Sequence, residues 1–131
     1  MRFELVDRVL ERSPDRIVTV KMVTNAEEYL QDHFPSFPVL PGVLMIESMV
    51  QAARRLLEDE ARPAGPLVLG SVRALKYGRF VRPGETLRVE VALVKRPADA
   101  GPEATFEFKG EATVEGATAV AGRFSLRPMR P

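Results

Sequence analysis

Apolar and polar residues alternate with a period of two over much of the second half of the chain. Between residues 103 and 115, Ala104, Phe106, Phe108, Ala112 and Val114 fall on one face and Thr105, Glu107, Lys109, Glu111 and Thr113 on the other, the pattern of a half-buried strand. Leu87, Val89, Val91 and Leu93 repeat it against Arg88 and Glu90, and Val120, Phe124 and Leu126 do so against Arg123 and Ser125. A loop rich in Pro, Gly and Asp over 97–102 and a tight turn at Glu115, Gly116 and Ala117 join these three strands into an antiparallel meander. Upstream, residues 3–10 and 16–23 flank the turn formers Ser13, Pro14 and Asp15, and residues 67–75 supply a further strand, so six strands are expected.

Between the second and third strands the period changes to that of a helix. Pro41 and Gly42 open it, and the helix is expected to run to about residue 61, before Arg62, Pro63, Ala64, Gly65 and Pro66 end it. Val43, Ile46, Val50, Ala53 and Leu57 form one apolar stripe, while Leu44, Met45, Met49 and Leu56 carry it around the cylinder, which predicts a nearly enclosed helix. A short helical turn over 26–30, capped by Asn25, is expected before it. The fold class is α+β: a curved antiparallel sheet wrapped around one long central helix, in a single domain over 1–131.

Composition narrows the function more than the fold. Nineteen Lys and Arg against eighteen Asp and Glu leave a net charge of +1, which gives no bulk attraction for nucleic acid or an anionic membrane. With no cysteine and one histidine, neither a disulfide framework, a thiolate nucleophile nor a protein-built metal site is expected. The N-terminal segment lacks the pattern of a secretory signal, and the apolar run over 42–53 is far short of the roughly 20 residues a bilayer span needs, so a cytoplasmic location is expected.

The chemistry concentrates in the stretch HFPSFPVLPGVLMIESMVQAA, residues 33–53, where His33 is the sole imidazole and Glu47 the sole carboxylate. A carboxylate buried without a partner is costly and tends to take up a proton, which suits a general acid. Glu47 has a plainer alternative, pointing to solvent or reaching Arg54 or Arg55 about two turns on. Pro35, Pro38 and Pro41 fix backbone angles between His33 and the helix, as a site residue in a loop requires. Gly42 at the helix start offers an unsatisfied N–H and the positive end of the helix dipole to a carbonyl oxygen.

These residues carry a family resemblance. FELVDRVLE, HFPSFPVLPGVLMIESMVQA and RFVRPGETLRVEV together resemble the 3-hydroxyacyl-[acyl-carrier-protein] dehydratases of FabZ type, in the hot-dog superfamily, over nearly the full length. The resemblance implies a lyase of fatty-acid-type biosynthesis that converts a 3-hydroxyacyl thioester to a trans-2-enoyl thioester without a cofactor. His33 and Glu47 match its catalytic pair, and Gly42, Val43, Phe34 and Pro41 are expected to bind substrate. It further implies a homodimer in which His33 of one subunit works with Glu47 of the other, with a trimer of dimers as a larger assembly. The substrate is carried on acyl carrier protein or coenzyme A. Arg73, Lys76, Arg79 and Arg82 are candidates for a basic surface toward an acidic carrier. The chain departs from the pattern at Asp32 and Ser36, where the family usually has Gly, at Arg54, where it has a small residue, and in the segment 79–87, which looks shorter. A hot-dog thioesterase and a non-catalytic acyl-binding subunit are the competing readings.

Overall fold

The computed structural model describes residues 4–24, 40–58, 67–98 and 104–129. They form six strands and one helix: β1 (Arg8–Ser13), β2 (Arg16–Met22), α1 (Gly42–Leu56), β3 (Leu67–Tyr77), β4 (Thr86–Lys95), β5 (Phe106–Val114) and β6 (Ala117–Pro128). All six strands lie in one antiparallel sheet in the order β1-β2-β4-β5-β6-β3. The expected meander is β4-β5-β6, closed by the Glu115–Gly116 turn, and β3 returns to the far edge beside β6. The expected turn before the helix, near residues 26–30, lies outside the described residues. No helix among the described residues is long and apolar enough to cross a membrane.

Alternation decides which face of the sheet is covered. Leu87, Val89 and Val91 of β4, Phe106, Phe108, Ala112 and Val114 of β5, and Val120, Phe124 and Leu126 of β6 are all buried, and α1 packs against this face. Phe108 and Phe124, paired across β5 and β6, stack with ring centroids 5.2 Å apart. Beside them the sheet has no side chain at Gly110. A Cβ there would come within 2.7 Å of Met49 Sδ and 3.3 Å of the Phe124 ring. That gap receives Met49 and sets how closely the helix lies on the sheet.

Several features differ from the sequence expectation. The first strand begins at Arg8, because the Leu5 N–H donates to Gln51 Oε1 of the helix (2.8 Å) instead of to a neighbouring strand. The helix ends at Leu56. There the Leu57 N–H is shared between the carbonyls of Ala53 and Arg54, and Glu58 N–H reaches only to Arg55, so the last turn tightens. In addition, one chain does not enclose the helix. Met45, Ser48, Met49, Val50, Ala52, Ala53 and Leu56 are buried, but Val43 is 69% exposed, and Glu47, Gln51 and Arg54 are only partly covered.

β3 runs two residues further than expected and stops at a glycine that no other residue can replace without movement. Gly78 N–H donates to Ala119 O (2.8 Å), and a Cβ at this position would lie 2.0 Å from the Thr118 carbonyl oxygen. The close approach holds Tyr77 at the end of β3. Gly78→Ala should therefore destabilise the protein by about 1–3 kcal/mol, as overpacking against backbone does, read as a lowered melting temperature.

The outer face of the sheet is laced with ion pairs. Glu90 on β4 accepts from Arg16 Nε on β2 (2.8 Å) and Arg88 Nη1 (3.2 Å), and Glu11 on β1 lies within 3.4 Å of Arg16 and 3.8 Å of Arg88. The hydrogen bond from Arg16 holds the Glu90 carboxyl below its usual value, partial desolvation opposes this, and Arg88 adds to it. A depressed folded-state value means the contribution is complete above the ordinary carboxylate range and fades as pH falls through the folded value. Glu90→Gln should cost less than about 1 kcal/mol at neutral pH, since the pair is exposed. Melting curves of the two proteins should converge as pH falls below the ordinary carboxylate range and the wild-type carboxylate protonates.

Candidate functional site

The helix start is built on Pro41, which stands at the N-cap with φ −60° and ψ 142°. Its carbonyl accepts from the N–H groups of Leu44 (3.0 Å) and Met45 (3.3 Å), while no side chain among the described residues caps the helix. The N–H groups of Gly42 and Val43 find no acceptor among the described residues, as expected of the first positions of an uncapped helix. Leu40 N–H donates to Val81 O (2.8 Å) just before, tying the entry to the helix to the segment after β3.

Tyr77 closes over this point. A Cβ on Gly42 would meet the Tyr77 ring at 2.8 Å and its hydroxyl at 2.9 Å, so the aromatic ring sits against the bare backbone of the first helical residue. Tyr77 itself is 53% exposed. The sequence expectation ends the strand at Leu75 and does not include this residue; the signal available is an aromatic immediately before Gly78.

Glu47 lies on the open stripe of the helix, with its side chain 39% exposed, so it is not the isolated buried carboxylate that the apolar surroundings predicted. Its Oε1 faces Gln51 Nε2 and Arg54 Nη1, each at 3.5 Å. The plainer alternative, contact with Arg54, is thus realised. Gln51 in turn is fixed by the Leu5 N–H, and Arg54 Nε donates to Leu67 O at the start of β3 (3.2 Å). No partner of Glu47 Oε2 is found among the described residues.

Of the other residues singled out from sequence, Pro41, Gly42 and Val43 stand together at the helix start, with Val43 open to solvent. His33 and Phe34, with Asp32 and Ser36, lie outside the described residues. The four cations expected to form a basic surface are partly engaged: Arg73 pairs with Glu107 (3.2 Å), and Arg79 pairs with Glu85. Lys76 makes no ion pair among the described residues, and the Arg82 N–H donates to Glu85 Oε1 (2.8 Å).

Comparison with known proteins bears on the whole of this arrangement. The model of the ApeI-like family, an ApeI dehydratase, matches residues 10–122. The 3-hydroxyacyl-[acyl-carrier-protein] dehydratase FabZ of Lactococcus lactis subsp. cremoris strain MG1363 is 41% identical over 125 residues, 95% of this chain and 83% of that protein. The FabZ of Solibacter usitatus is 45% identical over 118 residues, 87% of this chain and 68% of that one. Among solved structures, the dehydratase heterocomplex ApeI:P from Xenorhabdus doucetiae superposes with a TM-score of 0.70 at 18% identity, covering 96% of this chain and 99% of that one. A hypothetical thioesterase with coenzyme A from Streptococcus pneumoniae TIGR4 reaches 0.71 at 10% identity, covering 93% and 84%. With a family model matched over most of its length and relatives above 40% identity over nearly all of it, the chain belongs to the hot-dog dehydratases of the FabZ and ApeI-like type.

Proposed function

We propose that this chain dehydrates a 3-hydroxyacyl thioester linked to acyl carrier protein, giving a trans-2-enoyl thioester in fatty-acid-type biosynthesis. The observation that carries the reading is 41% identity to a FabZ dehydratase over 95% of the chain, together with an open helix face that presents the Glu47 carboxyl beside a helix start whose first amides have no acceptor among the described residues. The Gly42 N–H polarises the thioester carbonyl, aided by the positive end of the helix. His33 takes the proton from the carbon next to that carbonyl, and Glu47 gives a proton to the 3-hydroxyl as it leaves as water. Phe34, Pro41 and Val43 line the acyl part of the site.

A homodimer completes the site, with His33 of one subunit meeting Glu47 of the other. Two features support this. The helix leaves the Val43–Glu47–Gln51–Arg54 stripe open in the single chain, and β3 is an edge strand on which Leu69, Val72 and Tyr77 are exposed. The reading also places the protein in the cytoplasm as one domain over 1–131.

The deciding assay incubates the purified protein with a short trans-2-enoyl thioester of acyl carrier protein. Hydration to the 3-hydroxy product is expected, falling at least about 100-fold in His33→Ala and in Glu47→Gln, the scale of a lost general acid or base. Release of free thiol would turn the assignment to a thioesterase, and binding without turnover to a non-catalytic subunit. Val72→Asp on the β3 edge should shift the light-scattering mass toward the monomer and lower activity with it; an active monomer would exclude a site shared between subunits.

A further inference from the structure

Glu47 and Arg54 meet along the open stripe of the helix, where Arg54 Nη1 lies 3.5 Å from Glu47 Oε1. Seven positions separate the two, which is nearly two turns, so they project from the same side of the helix with roughly 10 Å of rise between them. Helical side chains lean toward the N-terminus, so the later and longer residue is the one able to reach back. Arg54 does so with its fork divided between two tasks. Nε donates to the Leu67 carbonyl at 3.2 Å, fixing the guanidinium to the first residue of β3, and Nη1 faces Glu47 Oε1 at 3.5 Å.

Gln51 approaches the same oxygen from between them, at 3.5 Å. Both contacts therefore converge on Oε1, and Oε2 is left without a partner among the described residues. A carboxyl held by one oxygen and open at the other has a defined direction for proton transfer. As Glu47 gives its proton to the departing hydroxyl, negative charge develops on this group, and a guanidinium already in place meets that charge without rearrangement.

We infer that Arg54 is a positioning residue for the dehydration: anchored to the Leu67 carbonyl, it holds Glu47 by Oε1 and aims Oε2 at the substrate hydroxyl. The inference rests on Glu47 as the proton donor. It assigns Arg54 an effect on the chemical step and none on substrate affinity, since the guanidinium acts through Glu47.

The test is steady-state kinetics on Arg54→Met, which keeps the aliphatic stem, and Arg54→Lys, which keeps the charge, with Glu47→Gln alongside and melting temperatures for each. Arg54→Met should lower kcat by about tenfold, the equivalent of one charged contact in the transition state, with KM little changed. Arg54→Lys should recover most of kcat. Should Arg54→Met fail to fold, Arg54→Gln serves in its place. An unchanged kcat in Arg54→Met with Glu47→Gln inactive would overturn the role of Arg54 and leave the catalytic assignment standing. A loss confined to KM would overturn it too, by making Arg54 a substrate contact. Full turnover in Glu47→Gln would overturn both.

Discussion

How closely the helix can lie on the sheet determines which of its faces stays open. Gly110 leaves a gap on β5 into which Met49 descends, and the small residues Ser48, Ala52 and Ala53 keep the rest of that helix face near the strands. With Met45, Val50 and Leu56 also buried, the rotation of α1 about its own axis is fixed by the core. The opposite stripe is then fixed by subtraction. Glu47 faces outward because Met45 and Met49 must face inward, so the direction of this carboxyl is a consequence of packing elsewhere on the same helix.

The strands were legible in the sequence wherever one face alone was buried. β4, β5 and β6 are bounded on one side by core and on the other by charge, and their alternation gave both their positions and their neighbours. The N-terminal strand was misplaced by the same rule, because the alternation runs on through Leu5 although its N–H is spent on Gln51. A contact 46 residues away leaves no local trace. The placement of β3 beside β6 is of the same kind, a long-range pairing that the meander signal does not contain.

The candidate site is a set of residue types in the sequence, and the sequence says less about its environment. The pairing of an imidazole, a carboxyl and a helix-start glycine stood out, since the apolar stretch around them made each one exceptional. What failed was the inference from that apolar stretch to burial of Glu47. Apolar residues around a helix were read as enclosure by one chain, whereas the sheet covers one side and leaves Val43 and its stripe open. Arg54 was foreseen only as the plainer alternative to a functional Glu47, yet a contact that accounts for a carboxylate and a contact that aims it have the same geometry.

Fold likeness does not select the chemistry. Structures described as a dehydratase complex and as a thioesterase superpose on this chain about equally well, at 18% and 10% identity, as expected when many sites are grafted on one scaffold. The selection lies in the residues that a shared backbone presents. In the proposed mechanism, the helix supplies the acid and the exposed amide, and a proline-rich segment of sequence supplies the base. The helix is joined to the edge strand through Arg54 and the Leu67 carbonyl. An edge that pairs with a second copy would then bear directly on the aim of the carboxyl, and assembly and catalysis would be set by the same strand.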